Sequence, residues 1–353
     1  LVRLIAVAII FVSMMAYVAA QFTAIGKTFD AVFGIPHLVS IPIGGAIIIL
    51  YTMMGGFRAV VWTDFIQGLI MVASLIILAL VAFAELGGTS GMMEKVNATA
   101  PEALSWMGGK TVAAFFGSVV GLLGIGLGYP GQPHVITRYM AAKDTQTIKR
   151  GVWIAIGWGT SIYTSAILLG ICGRALFPGL ADPEHLFPTA AENLLPALAT
   201  AVVLTGVLAA IMSTVSAQII VATSAVAHDV YSKVMCGSLT HKQILNISRV
   251  TVLLTGLSAM AVALTETRVI FWFVLFAWSG LGASFGPPIL FTLYSKNVTR
   301  EGAIAGMLVG FFITIFWKVT GLSDDYIYEL VPAFLLSALA VWAVSRWTIK
   351  KTD

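Results

Sequence analysis

Charge is what this sequence has least of. Only 10% of its 353 residues are Asp, Glu, Lys or Arg, while 59% are hydrophobic. A domain that folds in water carries roughly 25% charged residues, so a large soluble helical protein is the first class this composition excludes. Cysteine is almost as scarce. Cys172 lies in an apolar run and Cys236 in a polar loop, and two such residues define neither a disulfide framework nor a metal site. A phosphate-cradling glycine loop, a zinc-type cluster and a basic nucleic-acid patch are all missing from the sequence. His134 and His228 have no nucleophile or metal partner beside them, so the expectation is a protein that is not an enzyme and uses no organic cofactor. An initiating Met is missing too. The sequence opens at Leu1 on a helix-like run without a cleavable leader, which predicts that residues precede it.

Long oily runs fill the rest. Apolar segments at about 4–24, 38–56, 65–86, 111–129, 151–172, 197–222, 245–265, 269–293, 301–318 and 328–347 are long enough to cross roughly 30 Å of hydrocarbon. The fold class predicted is an all-α polytopic membrane protein, one transmembrane domain over residues 1–353. If residue 1 is cytoplasmic, only Lys27, Lys95, Lys110, Arg174, Arg268 and Lys318 fall on outside segments, and 14 of the 20 Lys and Arg are left inside. The positive-inside bias therefore puts both ends of the chain in the cytoplasm of a cell (inner) membrane. The basic stretch 134-HVITRYMAAKDTQTIKR-150 contributes most to that bias and reads as a solvated loop.

One run gives up helix-forming ability. The stretch 121-GLLGIGLGYPGQPH-134 holds five glycines and two prolines. Pro130 and Pro133 each remove a backbone donor, and the glycines remove side chains from successive turns, which predicts unwinding near Tyr129. Irregular backbone survives inside a membrane only against protein or a wet cavity, and secondary transporters use such breaks to hold solute and ion at mid-membrane depth. Tyr129 would then offer an aromatic wall and one hydroxyl to a small solute. Close helix packing through small residues explains Gly124 and Gly128 equally well, but not the two prolines.

The sixth run carries a polar stripe. Thr205, Ala209, Ser213, Ser216, Ala217, Ile220 and Ser224 recur at helical spacing, flanked by Thr214 and Gln218. Hydroxyl oxygens suit a hard cation such as Na⁺; they also serve for hydrogen bonds between helices. Asp64, in 62-WTDFIQ-67, either attracts a cation or caps the start of the third run. The stretch 277-AWSGLGASFGPPIL-290 either bends or packs tightly.

Taken together, 51-YTMMGGFRAVVWTDFIQGLIM-71, 128-GYPGQPHVITRYMAAKD-144, 212-MSTVSAQIIVATSAVAHDVY-231 and 277-AWSGLGASFGPPILFTLYSKNVTREGAIAGMLVG-310 resemble, in order, segments of the sodium:solute symporter family, and most of all its sodium/proline branch. The resemblance implies a LeuT-type inverted-repeat fold. Residues 1–86 would be the remainder of the first repeat, 111–293 the second, and 299–348 two additional helices, with the family's first three helices lying upstream. It implies Na⁺ as coupling ion, bound by the hydroxyls of Ser213 and Thr214 with the carbonyl of Ala210, and Asp64 on the Na⁺ pathway. It implies a solute pocket at Tyr129 and Pro133, with Gln132 and Ile125 beside them. Ile125 stands where the proline branch has Trp, which widens the pocket. The function implied is Na⁺-coupled import of proline or a related amino acid by alternating access, with a carboxylate or a pantothenate-like solute as the other class. The sugar-transporting branch fits less well, since the runs lack a cluster of amide and charged groups. A channel would need polar stripes on several runs, and a sensor an added signalling domain.

Overall fold

The computed structural model describes residues 1–105, 107, 110–235, 240–265 and 270–349, so Cys236, Arg268, Lys350 and Lys351 lie outside the described residues. Among those described, the regular structure is helical. In chain order the α-helices are α1 (Val2–Phe33), α2 (His37–Glu85), α3 (Gly88–Thr99), α4 (Val112–Gly124), α5 (Pro133–Met140), α6 (Thr145–Leu176), α7 (Leu186–Leu194), α8 (Ala197–Ser224), α9 (His241–Thr265), α10 (Ile270–Tyr294), α11 (Arg300–Val319), the short α12 (Leu322–Asp325) and α13 (Leu330–Thr348). Ten of the described segments are long and apolar enough to span a membrane.

Local chemistry sets several of the boundaries. Gly34 closes α1 in the left-handed conformation at φ 62°, its N–H returning to the carbonyl of Asp30. The side chains of Thr111, Asp144 and Thr299 accept from backbone N–H groups in the first turns of α4, α6 and α11. Pro133 opens α5, where its missing N–H costs nothing.

The second and third apolar runs are joined differently from the expectation. The sequence suggests two helices and a connection, but α2 stays helical for 49 residues. A straight helix of that length would be about 74 Å long, more than twice the hydrocarbon thickness. The helix does not run straight, because the hydroxyls of Tyr51 and Thr63 meet. Twelve residues along a straight helix would separate their Cα atoms by about 18 Å. The axis therefore bends sharply between Tyr51 and Thr63, and each side of the bend, His37–Met54 and Val60–Glu85, is long and apolar enough to span a membrane. Asp64 consequently has helix on both sides of it and caps no N-terminus, so the capping alternative fails. The connections the sequence marks only as polar also hold helices, α3 and α7, which tuck Val96, Ala190 and Ala191 against Leu78, Ala82, Leu169 and Cys172.

α1 lies at the centre. Val18, Phe22 and Ile25 pack on Ile41, Ile48 and Ile49 of the first half of α2, on Ile211, Val215 and Ile219 of α8, and on Val252 and Ala259 of α9. One turn before Val18 in α1, Met14 meets Val221 and Ala222 of α8 and Leu281 of α10. Lys27, toward the end of α1, reaches Asp182 at 3.0 Å and Glu184 at 2.5 Å, which ties α1 to the segment leading into α7. α10 is 72% buried over its apolar window, whereas α6 is 11% buried and sits at the periphery. Of the two readings left open for 277–290, tight packing fits. Both Pro287 and Pro288 lie inside a continuous helix, and Gly282 and Gly286 face Gly128 and Phe334 at close range.

Candidate functional site

The apolar helix α4 ends at Gly124, and residues Ile125–Gly131 wind into a 3-10 helix before Gln132 turns extended, at φ −87° and ψ 110°. The sequence predicts unwinding here. The backbone instead first tightens and then breaks at Gln132. Runs of 3-10 helix beyond three or four residues are uncommon, and within a longer helix they mark hinges. The cause is visible in the packing against α10. A side chain at Gly128 would overlap the indole of Trp278, and a Cβ at Gly131 would stand 2.7 Å from the carbonyl oxygens of Leu281 and Gly282. Only glycine lets the overwound segment lie flat on α10.

Three oxygens converge on α8. The Ser213 hydroxyl donates to the Ala210 carbonyl at 3.0 Å, and the Thr214 hydroxyl donates to the same carbonyl at 2.8 Å. Each hydroxyl oxygen keeps lone pairs, so rotating the two protons away would turn the cluster into three hard acceptors. The pair faces a cavity of about 290 Å³ lined also by Tyr17, Asp64, Gly68, Met71, His134, Arg138, Trp158, Ala217 and Gln218. Asp64 and Arg138 form an ion pair there. The other carboxylate oxygen of Asp64 is buried without a partner among the described residues, as are both amide atoms of Gln218 and Nδ1 of His134. Buried polar atoms without partners are costly, and acceptors of this kind beside two hydroxyls fit a small cation: neutral oxygens supply ligands and Asp64 supplies charge. Burial, together with the Arg138 guanidinium, lowers the His134 imidazole to about 4, which keeps it neutral.

The remaining sequence-predicted residues are spread around the break rather than gathered in one cavity. Pro133 lines a neighbouring cavity of about 350 Å³ with Ile220, Ser224 and Asp229, which shares His134, Arg138 and Ala217 with the first. Ile125 opens on a third, of about 620 Å³, beside Trp272 and Tyr328. Tyr129 is half-exposed and stands edge-on to Trp278 with ring centres 5.0 Å apart. Gln132 is fully buried, its amide N–H donating to the Trp278 carbonyl at 3.0 Å. Thr205, at the head of the polar stripe, lines a separate cavity with Phe29 and Leu208.

The sequence reading missed two residues. Arg138 was counted only as a loop charge, although a carboxylate inside a span calls for a cation, and Arg138 begins the basic stretch that follows the break. Trp278 is the one large ring among the small residues of 277–284, a pattern that marks a side chain received by a neighbouring helix.

Known proteins resemble this chain along its length. The family model described as the sodium:solute symporter family matches residues 1–310. The high-affinity proline transporter PutP of Bacillus subtilis is 36% identical over 352 residues, covering 99% of this chain and 73% of the relative. The osmoregulated proline transporter OpuE of the same organism is 35% identical, covering 99% and 71%. The sodium/proline symporter of Escherichia coli is 32% identical, covering 97% and 68%. Among solved structures, a Na⁺-coupled sialic acid symporter in its substrate-bound outward-open state superposes with a TM-score of 0.77 at 18% identity, over 99% of this chain and 75% of the other. That likeness establishes the LeuT-type fold. The chain is a multi-pass membrane protein and a transporter, and it belongs to the sodium:solute symporter family.

Proposed function

We infer that the protein imports a small amino acid, proline or a close relative of it, together with Na⁺, by alternating access. The observation that carries this reading is the convergence of the Ser213 and Thr214 hydroxyls on the Ala210 carbonyl, in one cavity with Asp64 and beside the broken helix. Na⁺ is held by those three oxygens, and Asp64 draws it along its path. The solute binds along the break, at Tyr129, Pro133, Ile125 and Gln132. Three relatives whose printed names specify proline support the substrate class. Residues 1–86 and 111–293 belong to two inverted repeats, and 299–348 form two helices outside them. Both ends of the chain face the cytoplasm, in keeping with the charge bias.

Coupling needs only that each ligand raise the other's affinity, and this effect is reciprocal. Na⁺ at α8 orders the face on which α5, the helix that follows the break, rests, and solute in the break strengthens the hold on Na⁺. The test is uptake by proteoliposomes containing the full-length protein, with proline, other small amino acids, pantothenate and short carboxylates as competitors. Proline uptake that requires an inward Na⁺ gradient is expected. Uptake that is indifferent to Na⁺ contradicts the reading.

A further inference from the structure

The two ends of the break are tied to one residue. The indole N–H of Trp278 donates to the carbonyl of Ile125, the first residue of the 3-10 segment, at 3.1 Å. The main-chain carbonyl of the same Trp278 accepts from the amide of Gln132, the residue just after that segment, at 3.0 Å. Between these two bonds, the indole stands edge-on to Tyr129 and fills the space that the missing side chain of Gly128 leaves. Trp278 therefore spans seven residues of broken helix from the most buried of the described spans.

The second bond decides the chemistry of Gln132. An amide can present either its oxygen or its NH₂ in a given direction, and the neighbours choose. With the Trp278 carbonyl as the fixed partner, the NH₂ must face α10, since the reverse orientation would set two oxygens against each other. The Gln132 oxygen is left buried with no partner among the described residues, on a side chain that is fully enclosed. An orphaned acceptor beside a helix break invites a donor. Of the solute classes considered, an amino or imino acid carries a cationic N–H donor; a simple carboxylate does not.

We propose that Trp278 is a positioning residue for specificity: it clamps both ends of the break and turns the Gln132 amide so that its oxygen alone meets the amine of the transported solute. This rests on the transport reading above and sharpens it to amine-bearing solutes.

The test uses the full-length protein in proteoliposomes under an inward Na⁺ gradient. Labelled proline competes with tetrahydrofuran-2-carboxylate, which keeps the ring and carboxylate but has oxygen in place of the amine. In the unaltered protein the oxygen analogue should compete about a hundredfold more weakly than proline, the scale of a lost charge-assisted hydrogen bond. Trp278→Phe keeps a ring without the N–H. It should raise the half-saturating proline concentration about tenfold and shrink that preference, while the half-saturating Na⁺ concentration, measured at saturating proline, and the maximal rate stay within about twofold. Trp278→His, which restores a ring N–H, should recover part of the preference. Should Trp278→Phe fail to reach the membrane, Gln132→Leu is read instead, with loss of the preference expected. An unchanged preference in the variant that is read overturns the proposal, as does a loss of Na⁺ response in step with proline affinity, which would mark a purely structural role. Na⁺-driven uptake of the oxygen analogue as good as that of proline in the unaltered protein also overturns it, leaving Na⁺-coupled transport standing. Uptake of every solute without regard to Na⁺ would instead bring down the transport reading itself.

Discussion

Arg138 on α5 and Asp64 on α2 form an ion pair between positions 74 residues apart, and only one of the two Asp64 oxygens is engaged. The other is buried, without a partner among the described residues, in the cavity that the Ser213 and Thr214 hydroxyls face. Asp64 is thus shared between a fixed cation and the place where a mobile one would sit. Removing the guanidinium should leave more of its charge for Na⁺. Arg138→Met is expected to lower the Na⁺ concentration for half-maximal uptake by about three- to tenfold, and Asp64→Asn to raise it by about tenfold or more. Uptake measured against Na⁺ concentration decides, and equal responses of the two variants would count against the shared role.

The glycines of the break divide by what surrounds them. A methyl group at Gly128 would meet the Trp278 indole, and one at Gly131 would meet the main chain of α10, while nothing lies within 4 Å of a methyl at Gly126. Gly131→Ala cannot be relieved by a side-chain rotation, so uptake should fall by at least about tenfold at normal membrane abundance. Gly126→Ala should stay within about twofold of the parent. Initial rates normalised to protein in the membrane compare the two.

His134 sets a pH dependence of stability. Its imidazole is lowered to about 4 in the folded protein by burial and by Arg138, against about 6.5 when unfolded. The folded state therefore binds fewer protons between those values. Its contribution to stability is fully present above about pH 6.5 and is lost progressively as the pH falls toward 4. The melting temperature of the purified protein should drop between pH 7 and pH 5, and His134→Gln should flatten that drop.

Lys27 tests the anchoring of α7. Its ammonium is mostly buried and bridges Asp182 and Glu184, and Glu184 also accepts from the N–H of Phe271 at the start of α10. Lys27→Met leaves two carboxylates with only the His185 imidazole, 3.9 Å from Asp182, beside them, a loss larger than that of a surface pair. A clear fall in melting temperature is expected, with Lys27→Arg near the parent.

The spans were legible because hydropathy and length suffice for them, and each expected run has a helix beneath it. The bend in α2 was not. The sequence expects a connection between the runs 38–56 and 65–86, but α2 is helical through it, and only the contact of Tyr51 with Thr63 reveals the bend. The break at 125–131 was visible in its glycines and prolines, though not its direction, because overwinding follows from the fit of Gly128 and Gly131 against α10. The polar stripe on α8 stood out by spacing, but spacing left ion binding and helix–helix hydrogen bonding both open, and the family resemblance singled out Ser213 and Thr214. Arg138 and Trp278 did not, since their roles come from long-range contacts with Asp64 and with Ile125 and Gln132, which no local pattern encodes.

The central claim is that Na⁺ is held by the hydroxyls of α8. The most direct measurement is the Na⁺ concentration that gives half-maximal solute uptake in proteoliposomes for the parent, Ser213→Ala and Thr214→Ala. Each lost hydroxyl should raise that concentration about tenfold or more, with Thr214→Ser close to the parent. The same Na⁺ requirement in all four proteins would contradict the account.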